Sequence, residues 1–206
     1  MGNYDVYVQD EYPNYTFLCF NNKEPNISDK IIFNSILRNV EPRNNMFRDT
    51  GLCQSLIIKE NKLAYPNFGK EFLLNLLEYG YIDTFLASDL LQSSFGASLW
   101  EKLLYECKKR GYFCFFSMSA PKFPKFVIFL KSPKDALYYK KYITGTSSGY
   151  RTRTAVIVQK GAKIENILKK NDNIYYVSCE KAQEMGFFEK PRDLTDDEIA
   201  LFSKIR

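Results

Sequence analysis

Phe126 to Leu130 is a run of five apolar residues, too short for a helix and rich in aromatic and β-branched types, so it predicts a buried strand. Ser132 and Pro133 follow, with Asp135 three residues past the serine. That order predicts a helix start: serine as N-cap, proline at the first helical position, a carboxylate at the third. Tyr138, Tyr139 and Tyr142 lie along the helix that begins there.

The same reading extends along the chain. Tyr4 to Val8 and Tyr15 to Phe20 predict strands around the turn-like segment Glu11 to Asn14. Ser28 predicts the cap of a helix over Asp29 to Arg38, with Ile32 and Ile36, and also Phe33 and Leu37, towards its buried side. Glu41 to Gly51 reads as a polar loop and Leu56 to Ile58 as a short strand. Phe68 to Tyr79 is apolar at Phe72, Leu73, Leu76 and Leu77 and is followed by Gly80, the pattern of an amphipathic helix with a glycine stop. A second helical region covers Ser88 to Arg110, interrupted near Ser94 to Ala97 and ended by Gly111. Its basic last turn, Lys108 to Arg110, suits a helix C-terminus. Strands are predicted over Gly111 to Ser117, Thr154 to Val158 and Ile174 to Val177, with a short helix over Ile164 to Lys170 between the last two. Ser178 predicts the cap of a short helix ending at Gly186, and Thr195 to Glu198 is a capping box for a C-terminal helix.

These elements predict an α+β fold: a helix-rich N-terminal half packed on a mixed, mainly antiparallel sheet in the C-terminal half. One domain is expected over residues 1–206, helix-rich over 28–110 and sheet-rich over 111–178, with a helical tail over 179–206. A hydrophobic fraction of 45% and an aromatic fraction of 16% exclude a disordered chain. The net charge of +5 favours anionic partners without demanding them.

The chain has no histidine, which removes Ser-His and Cys-His nucleophile pairs and most zinc chemistry, so no metal is expected. Five dispersed cysteines without CxxC spacing read as free thiols in a reducing, cytoplasmic compartment, the cell's own or that of a host. No apolar run approaches the roughly 20 residues that cross a bilayer, so no membrane partner is expected. Asn14 and Asn26 begin glycosylation tripeptides of the kind that arise by chance.

The order strand, serine, helix, strand, strand over about residues 110–185 resembles the ADP-ribosyltransferase fold of toxins and poly(ADP-ribose) polymerases. In that family a strand ends in serine or threonine, and the helix after it packs Ala and Tyr beneath a nicotinamide pocket. Ser132, Ala136 and Tyr139 match that element, with Tyr138 beside it. The resemblance implies an arginine for the NAD phosphates, for which Arg48 is the candidate. It implies a paired-serine segment, matched by Ser117 and Ser119 in competition with Ser132, and a late glutamate, matched by Glu180 and secondarily Glu184. The implied activity is transfer of ADP-ribose from NAD, as substrate, to a macromolecular acceptor, by a bacterial toxin, effector or phage protein.

The chemistry asks for these types. Arginine offers a planar fork to phosphate, tyrosine an aromatic face, and a carboxylate stabilises an oxocarbenium-like state. The chain departs from the pattern where the last strand holds Ile174 in the region of the expected glutamate. Each residue also has a plainer role: Ser132 as a simple N-cap, Glu180 as a first-turn carboxylate, Arg48 as surface charge, the tyrosines as core. Thr144 to Thr154 carries Arg151 and Arg153 behind small hydroxyl and glycine residues, a composition that can hold phosphate or follow a nucleic-acid backbone. It lacks P-loop spacing, which excludes that mode of ATP hydrolysis. The alternative function is therefore a small basic protein, without catalysis, that grips nucleic acid or a host protein.

Overall fold

The structure, a computed structural model, describes residues 4–25, 30–40, 47, 51–60, 66–88, 94–120, 123–140, 152–169 and 174–185. Among the described residues nine strands run in chain order: β1 (Asp5–Glu11), β2 (Asn14–Phe20), β3 (Ile31–Val40), β4 (Gly51–Glu60), β5 (Phe85–Ala87), β6 (Phe113–Ala120), β7 (Phe123–Phe129), β8 (Thr152–Val158) and β9 (Ile174–Ser178). They form one sheet in the order β1-β2-β3-β4-β5-β8-β6-β7-β9. Its two wings, β1 to β4 and β5 to β9, meet in a short parallel pairing of Leu52 with Leu86 and Cys53 with Ala87. The other parallel pair is β7 with β9; the remaining neighbours are antiparallel.

The helices among the described residues are α1 (Phe68–Glu78), α2 (Ser94–Lys109), the single turn α3 (Ile164–Ile167) and α4 (Cys179–Glu184), with a 3-10 turn at Pro133–Tyr138. The stops of α1 and α2 follow from glycine. Gly80 and Gly111 take left-handed backbone at φ 74° and 84°. The next N–H then reaches back five residues, Tyr81 to the Leu76 carbonyl and Tyr112 to that of Cys107, both at 3.0 Å.

The fold is mixed α+β, but the predicted division into a helical first half and a sheet-bearing second half is overturned. Strands are spread across the chain, four of them before residue 61. The segment predicted as a helix over Asp29 to Arg38 is strand β3 from Ile31 onward. Phe33, Ser35 and Leu37 are fully buried and alternate, which is the strand period. Ile32 is buried beside Phe33 because the register shifts where Phe20 pairs with Ile31 and Cys19 with Phe33. β-branched residues and two flanking strands outweigh the helical spacing of Ile32 and Ile36. The loop predicted up to Gly51 gives way to strand β4 there, which is longer than the predicted Leu56 to Ile58. β5 was not predicted, and Ser88 lies at its end, outside any helix. Ser28, Asp29 and the C-terminal capping box at Thr195 to Glu198 lie outside the described residues.

Both sheet faces are apolar where helices cover them. On one face α1, α2, the 3-10 turn and α4 pack over alternate residues such as Phe33, Phe116, Phe126 and Ile157. On the other, α3 with Phe47 and Leu168 covers Phe85, Phe115, Val127 and Val156. This two-sided burial is why β6 and β7 read as continuous apolar runs. No helix among the described residues is long and apolar enough to cross a membrane.

Cys19, Cys107, Cys114 and Cys179 are free thiols with no exposed surface. Burial raises the thiols of Cys19, Cys114 and Cys179 from the ordinary 9.0 to about 12, and Cys107 is raised as well. The unfolded chain loses its thiol protons from about pH 9, so these groups leave stability unchanged below that pH and lower it as pH rises towards 12. The expected result at pH 8 is that these four thiols react with an aromatic disulfide reagent only when the protein unfolds. More than one fast-reacting thiol per native chain would contradict it.

Candidate functional site

The parallel pairing of β7 and β9 sets Phe129 beside Ser178, so both chains leave the sheet at the same end. Each then starts a helical turn behind a serine, Ser132 for the 3-10 turn and Ser178 for α4. The Asp135 carboxylate accepts the backbone N–H groups of Lys131 at 2.7 Å and Ser132 at 2.9 Å. The Ser178 hydroxyl accepts the Lys181 N–H at 3.3 Å. The two turns are tied together: the Tyr138 hydroxyl donates to Gln183 at 2.6 Å, and Lys131 pairs with Glu180 at 3.4 Å.

Ser132, Tyr138, Glu180 and Glu184 are therefore neighbours at one end of the sheet. Glu180 is exposed, and the Ser178 hydroxyl, the first-turn backbone N–H and then Lys131 hold its carboxyl below its ordinary value. Glu184 is exposed and paired with Lys181 at 2.9 Å. Tyr139 is fully buried between Trp100 and Phe116, with ring centroids 6.5 and 5.8 Å away, which makes it a core residue.

The remaining candidates lie elsewhere. Ser117 is fully buried on the opposite face, donating to the Thr154 carbonyl at 3.3 Å. Ser119 pairs with Thr152, and Met118 with Arg153, at the far end of β6 and β8. Leu130, beside Ser132, bonds to Cys114. Five residues of strand separate Cys114 from Ser119, about 17 Å. Arg48, Arg151 and the side chains of Ser119 and Arg153 lie outside the described residues, as does most of Thr144 to Thr154.

Asp135 has the measurable structural role here. It is buried, and its carboxylate satisfies two N–H groups where the chain turns off β7. Asp135→Ala should lower stability by about 1.5–3 kcal/mol, the range for charge-assisted hydrogen bonds, measured by urea unfolding. A loss below about 0.5 kcal/mol would show that the turn does not depend on it.

A second feature was not anticipated. β1 is one of the two outer strands of the sheet, β9 being the other, and all seven residues of β1 are exposed. Val6 and Val8 stand opposite Cys19 and Phe17, which are buried on the helix-bearing face. The Phe17 ring meets Phe72 of α1 at 5.2 Å. The helix covers β2 but not β1: Val6 is 43% and Val8 54% exposed, and Tyr12 in the adjoining turn is 74% exposed. On the other face Tyr7 stacks on Phe20 at 4.8 Å. The sequence signal for an edge was the set of carboxylates Asp5, Asp10 and Glu11 on a strand with no cation. Such an edge offers a row of backbone donors and acceptors to another extended chain.

Among the described residues no cluster of Cys, Asp or Glu suits a metal ion. No known family model matches the chain, and comparisons with curated proteins and with solved structures give no significant match.

Proposed function

We propose that the chain is a non-catalytic binding protein that takes an extended segment of a partner polypeptide along the free edge of β1. The observation that carries this reading is a seven-residue outer strand exposed throughout, with two valines left uncovered on the face that elsewhere forms the core. Added strands gain affinity from main-chain hydrogen bonds and specificity from alternate side chains. The solvated alternative, an edge merely guarded by charge, leaves Val6 and Val8 without a role. The four buried, unpaired thiols fit a reducing, cytoplasmic setting for that encounter.

In the test, isotope-labelled protein is titrated with strand-forming peptides and followed by NMR. Shifts should concentrate in Asp5–Glu11 and the adjoining Asn14–Phe20. Alternate residues of an edge strand turn their N–H outward, so one of Tyr7→Pro and Val8→Pro should abolish these shifts with the fold intact. Shifts centred on another element, or binding that survives both variants, would defeat the reading.

A second reading, ADP-ribosyl transfer from NAD, draws support from the convergence of Ser132, Tyr138 and Glu180 at the ends of β7 and β9. Against it stands the commitment of Glu180 to Lys131 and its own helix start. Nicotinamide release from NAD that disappears in Glu180→Gln, with unchanged melting, would favour transfer; no release from the unaltered protein would remove it.

A further inference from the structure

We infer that the β1 edge selects a partner strand with an apolar centre and Lys or Arg at both ends, an inference that rests on the docking reading above. Asp5 stands at one end of β1, Asp10 and Glu11 at the other, and Val6, Tyr7 and Val8 between them. Among the described residues no ion pair involves any of the three carboxylates: Asp5 accepts from Asn22 and Glu11 from Gln9. Arg38 on β3, paired with Asn14 across the sheet, is bonded to the Asn14 side chain at 2.9 Å. A strand laid on this edge sets its side chains directly opposite these groups, where opposite charges stabilise and like charges destabilise. The apolar centre meets Val6 and Val8 on one face and Tyr7 on the other. Tyr12, beside the two-carboxylate end, adds an aromatic ring suited to a cation.

The same charges disfavour a second copy of the chain. An antiparallel β1–β1 pair centred on Val8 would set Asp5 opposite Glu11 twice, with Asp10 opposite Val6. In that register the like charges oppose self-pairing, whereas a foreign basic strand meets opposite charges at both ends.

The experiment uses three nine-residue blocked peptides with one Val/Thr centre and Lys, Ser or Glu at both ends, titrated into the labelled full chain at low salt. The Lys-ended peptide should bind at least about tenfold more tightly than the Glu-ended one, with the Ser-ended one between, from the summed cross-strand charge pairs. The difference should shrink in 0.5 M salt, as about a 4 Å Debye length screens exposed pairs. The double variant D10K/E11K, changed at exposed positions, should keep its circular dichroism spectrum and weaken or reverse the order. If all three peptides shift β1 with equal affinity, docking stands and charge selection is overturned. If none shifts β1, the docking reading itself fails. A β1-mediated dimer as tight as the Lys-peptide complex, seen by sedimentation, would also overturn the selection.

Discussion

Replacing Trp100 with alanine should lower stability by about 3–5 kcal/mol, the range for removing a large buried aromatic ring. Trp100 has no exposed surface and lies on the side of α2 that faces both the sheet and the 3-10 turn. Its ring approaches Tyr139, which in turn packs on Phe116 of β6. Truncation therefore opens a void at the junction of three elements, and a close-packed interior relaxes only partly around such a void. Tyr105 on the same helix is 40% exposed and serves as the control: Tyr105→Ala should cost no more than about 1 kcal/mol. Urea unfolding followed by far-ultraviolet circular dichroism suits both, since Trp100 is the only tryptophan. Equal losses would mean that α2 presents a different face to the sheet.

Phe33→Ala should also cost about 3–5 kcal/mol, whereas Ile36→Ala, on the other side of β3, should cost about 1 kcal/mol. Phe33 is fully buried and its ring meets Phe68 and Phe72 of α1 at 5.9 and 5.3 Å. Ile36 is only partly buried. A helix over this segment would bury Ile32 and Ile36 together, so comparable losses at 33 and 36 would count against the strand.

That pair of residues also shows why this part of the fold was hidden in the sequence. Ile32, Phe33, Ile36 and Leu37 satisfy a helical spacing, while the buried strand position between Phe33 and Leu37 is filled by a serine, which no hydrophobic pattern marks. Where the signal was local, the reading transferred well. The serine, proline and aspartate at 132, 133 and 135, the glycines at 80 and 111, and the apolar runs of β6, β7 and β8 each fix their own neighbourhood. β5 has three residues and too little pattern to detect.

The candidate site was legible only in part, for a related reason. Ser132 and Glu180 come to the same end because β7 and β9 are parallel, while Ser119 lies at the opposite end because β6 is antiparallel to β7, with Arg153 beside it because β8 is antiparallel to β6. Strand direction is a property of the assembled sheet. The outer position of β1 is another: its carboxylates are visible in the sequence, but which strand ends the sheet is decided by every pairing inside it.

The order β5-β8-β6 has a consequence for how the chain folds. β8 is the eighth strand to be made, yet it sits between the fifth and the sixth, paired with both. Ser88, at the end of β5, bonds to Ala155 of β8 through its N–H at 2.8 Å and accepts the Ala155 N–H on its hydroxyl at 2.9 Å. Until residue 158 has left the ribosome, the strand that pairs with both β5 and β6 in the finished sheet is missing, a gap that β8 fills later. Synthesis at about 5–20 residues per second leaves that gap unfilled for seconds after β6 emerges. The late insertion also makes the decisive contacts distant in sequence, which slows folding relative to a meander of the same size.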